Sequence, residues 1–155
     1  NRSKYDRYMA GELILNEQEE RGLSLFKEHC ASCHQPPLFT SGDFKRNGLQ
    51  LDSVLNDLGR YDITGDSLDS MRFKVPTLRN IAYTFPYMHD GRFSTLTKVL
   101  DHYQKVGSRL DEQTDFNKTI MITDRDKIDL IAFLQTLSDR SFMFNSATAF
   151  PPIRQ

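Results

Sequence analysis

A pair of cysteines followed by a histidine constrains this chain more than any other feature of its sequence. Cys30 and Cys33 lie three positions apart, and His34 follows the second cysteine directly. Two thiols at this spacing can add to the two vinyl groups of one porphyrin, and the adjacent histidine can ligate its iron. The motif therefore predicts one covalently attached haem c, held by Cys30, Cys33 and His34.

A zinc site, a redox-active thiol pair and a disulfide each account for less of the sequence than haem does. A structural zinc ion needs a second pair of ligands at a suitable spacing. The chain has only two cysteines, and its other histidines (His29, His89 and His102) do not form the spaced pair of a zinc finger. The redox pair and the disulfide stay open as alternatives, although a disulfide would leave His34 without a role.

Length and composition indicate one domain without a strong electrostatic field. The chain has 155 residues, of which 38% are hydrophobic, and its 20 basic and 21 acidic side chains give a net charge of -1. We therefore expect no nucleic-acid partner, and no apolar run reaches the roughly 18 residues of a membrane span. Bacteria attach haem c outside the cytoplasm, so the start without methionine predicts a processed periplasmic, or otherwise extracytoplasmic, bacterial protein or an excised domain.

Hydrophobic periodicity and capping signals predict three main helices, and no strand pattern competes with them. Asn16 and Glu19 have capping-box spacing at the start of the helix that leads to the haem motif. Ser94 or Thr95 caps a second helix, and Thr123 opens a third. The residues predicted to face inward are Leu96, Val99, Leu100, Tyr103 and Val106 in the second helix and Ile128, Ile131, Ala132, Leu134 and Leu137 in the third.

The segments between these helices are predicted to be long loops. From Pro36 to about residue 72 the chain is rich in Gly, Asp, Asn and Ser. Short helices are expected near residues 51–58 and after Pro76, the latter ending before Pro86. The predicted fold class is all-α, a cytochrome c-like haem domain with long loops over residues 16–138. A lead-in segment, 1–15, precedes it, and a C-terminal extension, 139–155, follows it.

Five blocks of sequence carry a more specific signal than the haem motif alone. They are residues 44–49, 59–65, 73–80, 86–96 and 132–137, and the fourth contains Tyr87-Met88-His89-Asp90-Gly91. In this order they resemble the C-terminal haem domain of the bacterial dihaem cytochrome c peroxidases and their MauG-like relatives. The resemblance extends over about residues 5–140.

The resemblance implies one part of a larger oxidoreductase. Proteins of this family resemble two cytochrome c domains, of which the N-terminal one reacts with hydrogen peroxide and the C-terminal one accepts and passes electrons. This chain is similar to the second half only and contains one haem motif. The implied partners are a second haem domain or an electron-donor protein, with hydrogen peroxide as the substrate of the full enzyme.

The resemblance also implies which group binds the iron opposite His34. Tyr103 matches the position of the family's distal ligand, which is a methionine in the peroxidases and a tyrosine in MauG-like proteins. A phenolate stabilises ferric iron and lowers the reduction potential. Periodicity alone leaves Tyr103 as an ordinary core tyrosine, and Met88 and Met121 are the alternative ligands.

Further residues are candidates for binding or are expected at the surface. Arg79 could hold a haem propionate through two hydrogen bonds, or it could form an ordinary surface ion pair. By position, Thr84 and Pro86 match residues whose backbone carbonyls help to hold a calcium ion between the two haem domains of the family, and oxygen ligands suit that cation. His102 lies about 100° round the helix from Tyr103 and is expected at the surface.

Two other functions stay open from the sequence. A free-standing monohaem electron carrier needs only an exposed haem edge. A haem-based sensor needs a distal ligand that a small molecule displaces. Retention of the segment 84–86, which the resemblance places at the contact between domains, favours the dihaem oxidoreductase.

Overall fold

The computed structural model describes residues 2–108, 114–116 and 119–145. Within these residues helices dominate and one pair of two-residue strands is present, so the predicted all-α class is confirmed. The helices are α1 (Lys4–Met9), α2 (Glu17–His29), α3 (Tyr61–Thr64), α4 (Leu96–Gly107), α5 (Asp124–Gln135) and α6 (Arg140–Met143). The antiparallel strands are β1 (Phe44–Lys45) and β2 (Phe73–Lys74), and short 3-10 turns cover Ser67–Asp69 and Ile81–Tyr83.

The three predicted helices start where their capping signals lie. The Asn16 side chain accepts a hydrogen bond from the Glu19 amide at 2.9 Å, and the Glu19 carboxylate accepts one from the Asn16 amide at 2.9 Å. Thr123 and Asp126 form the same reciprocal box at the start of α5, and the Thr95 side chain caps α4. These caps satisfy amides that a first helical turn leaves without partners. The predictions of α2, α4 and α5 are therefore confirmed.

Helices α2 and α5 cross in close contact at Gly22. A Cβ atom on this residue would lie 2.0 Å from the Asp129 carbonyl oxygen and 2.8 Å from the Phe133 Cβ atom. Only a residue without a side chain lets the two backbones approach so closely. An ion pair of 2.8 Å between Arg21 Nε and the Asp129 carboxylate lies beside the crossing, and this hydrogen bond lowers the pKa of the carboxyl group.

Four aromatic rings form the centre of the core. Phe39 lies 5.0, 5.5 and 6.3 Å from Tyr5, Phe26 and Phe133, measured between ring centroids. Tyr5 comes from α1, a helix too short for hydrophobic periodicity to reveal. Its amide donates to the Thr136 carbonyl at 3.0 Å. Helix α1 therefore packs into the same core as α2 and α5.

The buried face of α5 differs from the predicted stripe. Ile128 is 61% exposed, whereas its neighbours Lys127 and Asp129 are buried. The close approach of the Asp129 backbone to α2 turns this side of the helix inward, and the Lys127 ammonium pairs with Asp101 at 2.5 Å. The buried apolar residues along α5 and its continuation are Leu130, Phe133, Leu134 and Leu137.

The loops differ from the prediction in three places. Residues 51–58 form no helix, because Asp52 Oδ1 accepts hydrogen bonds from the amides of Val54 and Leu55 at 2.8 and 3.0 Å, which makes a turn. The segment after residue 76 forms only a 3-10 turn, preceded by Asn80 with a left-handed φ of 61° that a continuous α-helix excludes. The strands β1 and β2, which no sequence pattern predicted, pair across the long loop.

Asp139 ties the segment after α5 back to the start of the chain. Its carboxylate accepts hydrogen bonds from the Ser141 hydroxyl at 2.6 Å, the Arg2 amide at 2.6 Å and the Phe142 amide at 3.1 Å. These bonds lower the pKa of Asp139 to about 2. They also start α6, which belongs to the predicted C-terminal extension. Residues 146–155 of that extension lie outside the described residues.

A substitution at Gly22 tests the helix crossing. Replacing an unconstrained helical glycine by alanine raises stability by about 1 kcal/mol, but here the added Cβ has to displace the Asp129 backbone. For Gly22→Ala we expect the free energy of unfolding to fall by about 2 kcal/mol or more, measured by denaturant titration of the haem-loaded protein. The control is Ser24→Ala, at an exposed position of the same helix, which should change stability by less than about 0.5 kcal/mol. Equal effects of the two substitutions would contradict the close crossing.

Asp139 provides a test by pH. Folding lowers its pKa from 3.8 to about 2, so the carboxylate stabilises the fold above about pH 4 and loses this contribution as the pH falls toward 2. At pH 7 we expect Asp139→Asn to lower the free energy of unfolding by about 1–2 kcal/mol. The difference from the unsubstituted protein should shrink near pH 2, as followed by chemical denaturation at several pH values. A difference that does not change with pH rules out this role of the carboxylate.

Candidate haem site

The end of α2 brings both cysteines and the histidine of the motif onto one turn of backbone. The Cys30 amide still donates to the Phe26 carbonyl at 2.8 Å, as in a helix. The amides of Cys33 and His34 both donate to the Cys30 carbonyl, at 3.1 and 2.9 Å. The two cysteines form no disulfide and are half-buried. Both sulfurs and the imidazole are thus carried by the same turn, as covalent haem attachment requires.

His34 is held in the protonation state that an iron ligand needs. Its Nδ1 lies 3.1 Å from the Phe39 carbonyl oxygen and 3.2 Å from the Pro76 carbonyl oxygen. Carbonyls only accept hydrogen bonds, so Nδ1 carries the proton and Nε2 keeps its lone pair. Burial lowers the pKa of His34 and favours the neutral imidazole, although the two hydrogen bonds act in the opposite direction. This geometry fits haem iron bound through Nε2.

The two carbonyls belong to segments that are tied to each other. The Thr40 hydroxyl donates to the Val75 carbonyl at 2.6 Å, and the Thr77 hydroxyl donates to the Leu38 carbonyl. Phe39, between the two threonine contacts, is fully buried in the aromatic core with a φ of 56°. The orientation of the imidazole is therefore set by core packing as well as by the motif.

Tyr103, on α4, lies close to both cysteines. Burial raises the pKa of its phenol to about 12, and negative charge on Cys30 raises it further. A hydrogen bond with the Asn47 side chain lowers the same pKa, and charge on Cys33 adds a smaller increase. Conversion of the thiols to thioethers would remove the two sulfur charges. The electrostatic influence of both cysteines shows that the phenol faces the turn that carries the haem motif.

One of the two alternative methionine ligands is near Tyr103 and the other is not buried. Met88 is half-buried, and its sulfur accepts a hydrogen bond from Asn47 Nδ2 at 3.7 Å. Met121 is 70% exposed. The structure therefore brings Tyr103 and Met88 together through Asn47 and leaves Met121 at the surface.

Arg79 forms a largely buried ion pair in place of the surface ion pair considered for it. Its guanidinium donates to Asp6 Oδ1 at 2.7 Å, to the Ser3 hydroxyl at 3.2 Å and to the Pro37 carbonyl at 2.8 Å. The arginine side chain is only 14% exposed. These bonds join α1 to the loop after the haem motif, and the propionate contact of Arg79 stays a prediction.

Thr84 and Pro86 lie together in an exposed segment after the 3-10 turn. The Thr84 hydroxyl donates to the Ile81 carbonyl at 3.5 Å. Their backbone carbonyls are the groups implied to bind calcium, and that role stays a prediction. Among the residues that the structure describes, no group of three acidic, histidine or cysteine side chains could hold a metal ion, which leaves the zinc alternative without support there.

Two other histidines have structural contacts. His102 is half-buried, and its Nε2 donates to the Asn47 carbonyl at 2.8 Å, so the expectation of a surface position is wrong. The reason is that the loop after β1 folds over α4 and offers a carbonyl to the imidazole. His89 stacks on the Phe73 ring at 3.6 Å with an interplanar angle of 10°.

Sequence reasoning missed Asn47, although it lies within the block at 44–49. Its side chain contacts Met88 and Tyr103, and its carbonyl holds His102. These partners are 41 to 56 residues away along the chain, so no local pattern could have shown them. The same holds for Pro76, whose carbonyl contacts an imidazole 42 residues away.

The sequence model of the cytochrome c family matches residues 19–138. This chain belongs to the cytochrome c family. Members of the family carry covalent haem c, which agrees with the geometry of Cys30, Cys33 and His34.

Three known proteins narrow the similarity to MauG-like and peroxidase proteins. The methylamine utilization protein MauG of Methylorubrum extorquens is 39% identical over 138 residues, which are 86% of this chain and 38% of that protein. A MauG-like protein associated with microbial copper homeostasis has a crystal structure that matches with a TM-score of 0.79 and 33% identity, covering 96% of this chain and 51% of that one. The diheme peroxidase BthA of Burkholderia thailandensis matches with a TM-score of 0.76 and 27% identity, covering 89% and 46%.

The resemblance to dihaem peroxidases and MauG-like proteins is therefore confirmed over most of the chain. This cytochrome c domain spans about half the length of these relatives, or less. None of the helices in the described ranges has both the length and the apolar composition needed to cross a membrane.

Proposed function

We propose that this cytochrome c domain passes electrons within a larger dihaem oxidoreductase of the peroxidase and MauG type. The observation that carries the proposal is the match of nearly the whole chain to about half of a diheme peroxidase and of a MauG-like protein. A second haem domain then supplies the remaining half and reacts with hydrogen peroxide. Like other c-type cytochromes of bacteria, the protein would work in the periplasm or another extracytoplasmic compartment.

The residues of this chain attach and orient one haem c. Cys30 and Cys33 would hold it covalently, and His34 would bind the iron through Nε2. When bound, the haem supplies a one-electron Fe(III)/Fe(II) couple. Phe39 and Pro76 keep the His34 imidazole neutral and fixed, so that little rearrangement accompanies the change of iron charge.

Tyr103 is proposed as the distal ligand. Its phenol faces the turn that carries both cysteines and is buried, so it is not in contact with bulk water that would compete for the iron. A buried phenol stays protonated at neutral pH unless a nearby positive charge stabilises the phenolate, and ferric iron provides that charge. An oxygen ligand of this kind lowers the reduction potential relative to methionine.

An exposed aromatic surface lies beside the segment proposed to contact the second haem domain. Phe85 is 63% exposed and Phe144 is 68% exposed, and Phe144 packs edge to face on Tyr83 at 5.5 Å. Thr84 and Pro86 flank Phe85 in this segment, and their carbonyls would help to bind calcium at the boundary between domains. Large aromatic side chains that stay exposed in one domain are typical of contact surfaces.

The function is tested with the parent protein and hydrogen peroxide. We expect its reading frame to encode a second Cys-x-x-Cys-His motif and the purified protein to contain two haems. Rapid mixing of the reduced protein with peroxide should then oxidise the haem of this domain, seen as loss of its ferrous absorption bands. A parent protein with one motif, whose haem does not respond to peroxide, would instead be a free-standing electron carrier.

Tyr103→Phe in the haem-loaded parent protein tests the distal ligand. Loss of the phenolate should abolish its charge-transfer band, change the ferric spin state and raise the reduction potential of this haem. Tyr87→Phe is the matched control, because the Tyr87 hydroxyl donates to the Ile81 carbonyl at 3.0 Å and has no contact with the motif among the described residues. Identical ferric spectra of Tyr103→Phe and the unsubstituted protein would exclude tyrosine ligation.

A further inference from the structure

Asn47 lies between the two side chains that could bind the distal face of the iron. Its Nδ2 donates to the Met88 sulfur at 3.7 Å. Its side chain also makes the hydrogen bond with Tyr103 that lowers the pKa of the phenol, against the effect of burial. One amide thus contacts both an oxygen and a sulfur ligand candidate.

The position of this amide is fixed from several directions. His102 Nε2 donates to the Asn47 carbonyl at 2.8 Å, and the Leu49 amide donates to Asn47 Oδ1 at 3.4 Å. The next residue, Gly48, is buried with a φ of 75°, and a Cβ atom on it would lie 3.1 Å from Val106. Because His102 and Val106 belong to α4, the loop is anchored to the same helix that carries Tyr103.

The hydrogen-bonding capacity of an amide makes it selective between the two ligands. A phenolate oxygen can only accept hydrogen bonds, so the Nδ2 group is the part of Asn47 that can serve it. Oδ1 is already engaged by the Leu49 amide. The second N–H of Nδ2 points at the Met88 sulfur and occupies a lone pair that metal ligation would need.

We propose that Asn47 is a positioning residue that selects oxygen over sulfur at the distal side of the haem. Its amide nitrogen holds the Tyr103 oxygen toward the site and engages the Met88 sulfur, which keeps the thioether from the iron. The inference rests on the proposed ligation by Tyr103 and adds to it the group that decides the competition.

The test is Asn47→Leu in the haem-loaded parent protein. Leucine has nearly the same volume but donates no hydrogen bond, while the backbone carbonyl that binds His102 is kept. We expect about a ten-fold shift of the ferric population from oxygen toward sulfur ligation, the equivalent of one lost hydrogen bond. The shift is measured as loss of the phenolate charge-transfer band and gain of the sulfur-to-iron band, with a higher reduction potential. Adding Met88→Leu should abolish the new sulfur band.

His102→Leu is the matched control, because it removes the bond to the Asn47 carbonyl and leaves the amide in place. It should change the ligand ratio by less than about two-fold. A change as large as that of Asn47→Leu would show that loop placement, and not the amide, decides the ligand, and would overturn the proposal. If Asn47→Leu does not take up haem, Asn47→Asp, which has the same shape without an N–H donor, should give the same shift.

The failure of this inference can be separated from the failure of the proposed ligand. Unchanged ferric spectra of Tyr103→Phe would reject tyrosine ligation and this inference with it. A changed spectrum of Tyr103→Phe together with an unchanged spectrum and potential of Asn47→Leu would reject only the role of Asn47.

Discussion

Two backbone carbonyls, those of Phe39 and Pro76, converge on one nitrogen of His34, and the whole site depends on this interaction. They fix the proton on Nδ1 and leave the lone pair of Nε2 for iron. The two segments approach the imidazole from separate parts of the chain and are bonded to each other by Thr40 and Thr77. The sequence motif supplies the ligand, whereas its orientation and protonation come from tertiary structure.

The remaining architecture holds these segments against the end of α2. The crossing at Gly22 sets the position of α2 against α5, and the ring of Phe39 packs into the aromatic core between them. Arg79 joins α1 to the carbonyl of Pro37, three residues after the motif histidine. On the opposite side of the site, the loop after β1 is bound to α4 through His102, which places Asn47 beside Tyr103. Stability and site geometry thus rely on the same contacts.

Local signals predicted the main helices well, and contacts between distant segments explain what they missed. The capping boxes at Asn16 and Thr123 lie within four residues of sequence, so α2 and α5 could be located from the sequence alone. The inward face of α5 could not, because a glycine more than 100 residues earlier draws the Asp129 backbone toward α2. Likewise, the haem motif identified three ligand residues by spacing, but the partners of Arg79 and the role of Asn47 arise only when segments far apart in the chain meet.

Covalent attachment of one haem to Cys30 and Cys33, with His34 as the iron ligand, underlies every functional step proposed for this domain. The most direct measurement is the haem content of protein matured in a bacterial periplasm, by pyridine haemochrome spectrum and intact mass after denaturation. We predict one haem from this domain that stays attached when the chain is unfolded, with both cysteines unreactive toward thiol reagents. A colourless domain with two reactive thiols, or with the two cysteines joined in a disulfide, would contradict this prediction.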